Sequence, residues 1–167
     1  MAAMTTACNL GFLTILQESS GHLGGFLVTN QWGRPLEFRL STAVQPNRVQ
    51  QILYGPTLAT YLCAEVIGKA LVDKTVARPQ FILTDIEAAL ELRHHVPVPV
   101  VWLGEASRGD ERPESPRLTT HPHYLEDADM VAEWLERQGK GLDLAEPFIR
   151  IRDALAEARK MGATNRG

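Results

Sequence analysis

The chain has 167 residues, 44% of them hydrophobic and 22% charged, with a formal net charge of −3 at pH 7. Residues 1–167 are therefore expected to form a single domain with a packed core. The lack of a basic excess argues against a protein that holds nucleic acid by bulk charge.

Cys8 and Cys63 stand far apart with no CxxC spacing, which points away from a disulfide framework or a thiolate metal site and fits a reducing cytosol. The opening "MAAMTTACNLGFLTIL" lacks the basic region and unbroken apolar run of a signal peptide. No stretch approaches the roughly 18–20 consecutive apolar residues of a spanning helix. The expectation is a soluble, cytoplasmic protein without membrane partners.

In chain order, "LGFLTILQE" (10–18) reads as a strand. "SSGHLGG" reads as a glycine-rich reversal and "FLVTN" (26–30) as a second strand. "LEFRLS" alternates, which predicts a third strand with Leu36, Phe38 and Leu40 buried and Glu37, Arg39 and Ser41 wet. "QPNRVQQILY" begins a helix that Gly55-Pro56 should kink or restart. Beyond it, "TLATYLCAEVIGKALVDK" has a wide apolar face suited to a buried central helix. "PQFILTD" predicts an inner strand, "IEAALELR" (86–93) a two-turn helix, and "VPVPVVWLG" (96–104) a strand. Pro97 and Pro99 cannot donate ladder bonds, so that strand should lie at an edge or start late. Residues 105–123 are polar and carry three prolines, and are expected to form a long exposed loop. Amphipathic patterns predict closing helices over 124–138 and 146–161. Arg159 and Lys160 suit the last turn of the second.

The fold class this implies is mixed α/β of α+β type. It has a three-stranded antiparallel meander, a central buried helix, a strand–short helix–strand run and two C-terminal helices. Over residues 10–138 that order resembles the ribonuclease H-like fold. Profilin-like and longin-like domains are the alternative, with a poorer match to the run from 79 to 104. Ribonuclease H-like nucleases hold two divalent metals, Mg or Mn, on acids at a few fixed points, because hard cations take oxygen ligands. The resemblance implies metal ligands at Glu18 in "LQESSG", at Asp85 in "LTDIEAAL" and at Asp127 or Asp129, of which Asp129 is taken, in "THPHYLEDADMVAEWL". His121 or His123 would serve as a proton shuttle. The pattern breaks at Gln50, where the family carries a glutamate near the start of the central helix.

Each acid also has an ordinary reading. Thr84 and Glu87 have capping-box spacing around Asp85. Glu18 beside two serines and a glycine suits a turn. Glu65 and Lys69 are spaced for a helical ion pair. Asp127 and Asp129 belong in a helix first turn. His121-x-His123 could ligate a metal, but a solvated loop is the stronger expectation, since adjacent His94 and His95 should diverge.

Two functions follow. The first is a non-catalytic binding or assembly module, without a cofactor, that meets a protein partner through Arg39, Arg48, Gln50 and Gln51. Arginine in particular suits planar acidic groups. The second is a divalent-metal-dependent nuclease or phosphodiesterase, with nucleic acid as partner and Glu18, Asp85, Asp129 and His121 in the site. The missing acid at Gln50 favours the first. Partner identity and oligomeric state are not legible in the residues.

Overall fold

The computed structural model describes residues 8–104, 118–138 and 143–164. Six strands form one mixed sheet in the order β3-β2-β1-β4-β5-β6. They are β1 (Leu10–Glu18), β2 (Gly21–Thr29), β3 (Pro35–Leu40), β4 (Phe81–Thr84), β5 (Val100–Leu103) and β6 (Leu118–Thr120). The β1–β2–β3 meander is antiparallel, β4 and β5 run parallel to β1, and β6 returns antiparallel to β5.

Both faces of the inner strands are covered, which is why they read as apolar runs rather than alternations. Leu13, Ile15, Phe26, Val28, Ile82 and Val100 pack on one side with Cys63, Ile67 and Leu71 of the central helical stretch. Leu10, Phe12, Leu27, Phe81, Leu83 and Val101 pack on the other with Val131, Phe148, Ile151 and Leu155. Phe12, Phe26, Leu13 and Leu10 are fully buried. Each such side chain contributes about 1.5–3 kcal/mol relative to leaving it in water.

The expected reversal over residues 19–25 shrinks to Ser19-Ser20, and β2 begins at Gly21. Gly24 and Gly25 sit inside β2 because helices press on both of its faces. A Cβ on Gly24 would meet Ile67 Cγ2 at 2.2 Å, and one on Gly25 would meet Ile151 Cγ2 at 2.5 Å. Glycine here permits close backbone approach rather than a turn.

The expected apolar face of β3 is covered only at its middle. Leu36 and Leu40 are about half exposed, while Phe38 packs against the core. Glu37 is held by the backbone N–H groups of Val76 and Ala77, at 3.0 and 2.8 Å. β3 is an edge strand, so alternation alone did not decide how much of its apolar face had a layer above it.

The first helix, α1 (Arg48–Tyr54), buries none of its residues. Gly55-Pro56 restarts the chain through a 3-10 turn, Gly55–Thr57, as the proline requires. The stretch then passes through α2 (Leu58–Thr60), a π-helix (Tyr61–Gly68) and α3 (Lys69–Lys74). Gly68 lies over the Cys63 carbonyl, where a Cβ would be 2.7 Å from its oxygen, so glycine suits this wide turn.

The short helix is a 3-10 helix, Glu87–His95, and β5 starts at Val100, after both prolines. β5 is not an edge, because β6 lies beside it. Residues 118–120 were expected in the exposed loop. They pair instead with β5, and His121 that follows is buried. The rest of that expected loop, 105–117, lies outside the described residues. The closing helices are α4 (Glu126–Gln138) and α5 (Glu146–Thr164). Among the described residues no helix is long and apolar enough to cross a membrane.

Candidate metal centre

Two backbone paths meet at the end of the sheet where β5 begins. The 3-10 helix Glu87–His95 leaves the far end of β4 and returns to the start of β5, delivering His94. β6 runs antiparallel to β5, with Thr120 opposite Val101, so the chain emerges at the same end with His121 and His123.

One ligand atom from each of His94, His121 and His123 lies within 4.8 Å of the others. His94 Nε2 and His121 Nε2 are 3.3 Å apart. Tetrahedral zinc with Zn–N bonds of about 2.0–2.1 Å separates its ligand nitrogens by about 3.3 Å, so this pair already has the required spacing. His121 is buried, while His94 and His123 open towards solvent. Glu91 Oε2 lies 2.9 Å from His121 Nε2, and Glu91 Oε1 is 3.6 Å from His94 Nε2.

His121 Nδ1 accepts the backbone N–H of His123 at 3.2 Å, which places the neutral ring's proton on Nε2. A metal ion held at His121 Nε2 would need the ring proton on Nδ1, where the His123 N–H now donates. Three imidazoles leave a coordination position free, the arrangement of sites that activate water.

The sequence-predicted acids do not join this centre. Glu18 ends β1 and pairs with Arg159, and Asp85 follows β4 and pairs with Arg152. Both arginines come from α5, two helical turns or roughly 10 Å apart. The residue abreast of Asp85 is Thr14, one on from the Leu13–Thr84 pair, and Glu18 lies roughly 13 Å further along the strand. Asp129 is exposed on α4, which starts beside His121 at the sheet end opposite Glu18. His121 is likewise at the opposite end from Glu18 and Asp85.

Several local readings change. Thr84 Oγ1 accepts from Ile86 N–H at 3.2 Å and does not form the expected capping box with Glu87. The capping box lies at α1, where Asn47 Oδ1 accepts Gln50 N–H at 2.8 Å and Gln50 Oε1 accepts Asn47 N–H at 3.0 Å. The neutral side chain at position 50 thus has a backbone task. Gln51 Nε2 donates to the Pro46 carbonyl at 3.2 Å. Arg39 pairs with Glu37 at 2.7 Å, and Arg48 is exposed on α1. Lys69 pairs with Asp73, at 2.6 Å, rather than with Glu65, which lies 3.6 Å from His95. Gln51 and Glu18 line one cleft of about 450 Å³ with His22 and Gln45.

The candidate ligand that sequence reasoning missed was His94. Its signal was the count of histidines flanking a short strand, but only strand pairing across residues 94–121 reveals that they meet.

No family model matches this chain, and no curated protein matches it. Among solved structures it is similar to endonuclease V of Ciona intestinalis. One such structure is a variant in complex with a 23mer DNA containing an inosine followed by a ribo-adenosine, with TM-score 0.35 and 11% identity over 83% of this chain. The other is a complex with a 24mer DNA of the same kind, with TM-score 0.37 and 10% identity over 79% of this chain. The chain spans 59% and 58% of those chains' lengths. At these scores the likeness carries no argument about site or activity.

Proposed function

We propose that the protein is a divalent-metal-dependent phosphodiesterase or nuclease whose metal is held by His94, His121 and His123. The observation that carries this reading is the convergence of the three imidazoles within 4.8 Å at one end of the sheet. Imidazole ligands favour zinc and its transition-metal neighbours over magnesium. The bound ion would lower the pKa of a water molecule and polarise a phosphoryl oxygen. Glu91 stands beside two of the ligands, where a carboxylate can orient that water. Phosphodiesters as the substrate class rest on the resemblance in element order, a meander followed by parallel strands, an analogy of fold. Pairing of Glu18 and Asp85 with arginines and the capping bonds of Gln50 favour the histidine site over a four-acid one.

The test is cleavage of a labelled oligonucleotide by purified protein loaded with Zn²⁺ or Mn²⁺. Cleavage that stops on chelation and is absent in His121→Ala supports the reading. A wild-type protein that binds neither ion in calorimetric titration overturns it.

A second reading, a binding module for a protein partner, is favoured by α1. Val49, Ile52 and Leu53 are 62%, 65% and 78% exposed on a helix that buries nothing. Apolar side chains grouped in this way mark interaction surfaces. Retention of every partner by a Val49→Ser, Leu53→Ser variant in pull-down assays would count against it.

A further inference from the structure

Beside the three imidazoles lies a buried ion pair that the metal reading does not use. Arg93 Nε donates to Asp127 Oδ2 at 2.8 Å, and the Asp127 side chain is only 2% exposed. The same guanidinium donates to the Val96 carbonyl at 3.1 Å and lies 4.1 Å from the centroid of the Tyr124 ring. Burying two charges is costly, and well-packed apolar residues in their place are often as stable or more so. Such a pair therefore calls for a role other than bulk stability.

Its position supplies one. Arg93 immediately precedes His94, at the end of the 3-10 helix. Tyr124 immediately follows His123, and Asp127 lies in the first turn of α4. Tyr124 N–H donates to the His121 carbonyl at 2.8 Å, and Asp127 N–H to the Tyr124 carbonyl at 3.1 Å. A chain of directed bonds thus links the backbone carrying His94 to the backbone carrying His121 and His123. The planar guanidinium fork fixes both distance and orientation, which a point charge does not.

We propose that Arg93 and Asp127, with Tyr124 beneath the guanidinium, are positioning residues that set the spacing of the three imidazoles and hence the coordination geometry of the metal. This rests on the metal reading of the site. Partners that orient metal ligands typically contribute 10–100-fold to affinity.

The experiment titrates the whole chain with Co²⁺ and follows visible absorption, which distinguishes four-coordinate from six-coordinate cobalt. Wild-type protein is expected to bind one ion with intense four-coordinate bands. Asp127→Asn and Arg93→Lys are expected to bind roughly 10–100-fold more weakly, with the weak bands of six-coordination. Far-UV circular dichroism checks each fold. If Asp127→Asn does not fold, Arg93→Lys, which keeps the charge, decides. Wild-type affinity and bands in a folded Arg93→Lys or Asp127→Asn protein would overturn the positioning role while leaving the metal centre intact. Wild-type protein that takes up no cobalt would remove the centre itself.

Discussion

His94 and His121, 27 residues apart in the chain, bring their Nε2 atoms to 3.3 Å because β6 pairs antiparallel with β5 and the 3-10 helix ends at the same edge. Two ring nitrogens at that distance are close enough for a hydrogen bond or for joint ligation of one metal ion.

Metal should therefore stabilise the folded chain, since the unfolded chain does not present the three rings together. At a free ion concentration 100 times Kd the gain is about 2.7 kcal/mol. Thermal melts with Zn²⁺ and with chelator are expected to differ in wild type and to coincide in His121→Ala. A His121→Ala melt that still rises with zinc would place the ion elsewhere.

Asn47 and Gln50 satisfy each other's backbone N–H at the start of α1. Asn47→Ala should lower stability by about 1 kcal/mol in urea titration. Gln50→Glu can keep the reciprocal bond and should leave metal stoichiometry at its wild-type value. A second bound ion in Gln50→Glu would restore the acid-site reading.

Gly24 lies where Ile67 presses on β2. Gly24→Ala should destabilise by about 1–3 kcal/mol, because the added methyl overlaps Ile67 Cγ2. Equilibrium unfolding measures it, and an unchanged midpoint would show that the central helical stretch yields freely.

The Ala77 N–H, the Arg39 guanidinium and the Val76 N–H hold the Glu37 carboxyl below its ordinary value of 4.5. The sign follows from a lowered folded-state pKa. Its stabilisation is present above pH 4.5 and is lost as pH falls through the lower folded value. Glu37→Gln should therefore destabilise at neutral pH and flatten the acid limb of the stability profile. An acid limb as steep as in wild type would assign it to other carboxyls.

Burial pushes the Cys63 thiol up to about 11 and raises that of Cys8 from its ordinary value. Both should resist a thiol-disulfide reagent at pH 8 in the native state and react on unfolding. Fast native labelling of Cys63 would indicate local opening of the π-helix.

Element types were legible wherever the cause was local. The proline at 56 marks the restart, the prolines at 97 and 99 mark the late start of β5, and apolar periodicity marks the closing helices. β6 was not legible: three residues after a polar, proline-containing stretch carry no periodicity, and only β5 gives them a partner. The burial of β3 was legible only at Phe38 for a related reason, since alternation says which side chains share a face but not how far a neighbouring layer covers it, and Leu36 and Leu40 stay exposed on this edge strand.

The candidate site divides in the same way. By itself the sequence determined the chemistry on offer: imidazoles at 94, 121 and 123, acids at 18, 85 and 129, and an amide where an acid was sought. Tertiary structure alone decided who meets whom. It matched Glu18 and Asp85 to arginines on α5, sent Asp129 to the opposite end, and gathered the histidines. Ligand geometry depends on strand pairing and crossover direction, which are set by the burial of whole faces, whereas periodicity and capping act between near neighbours in the chain.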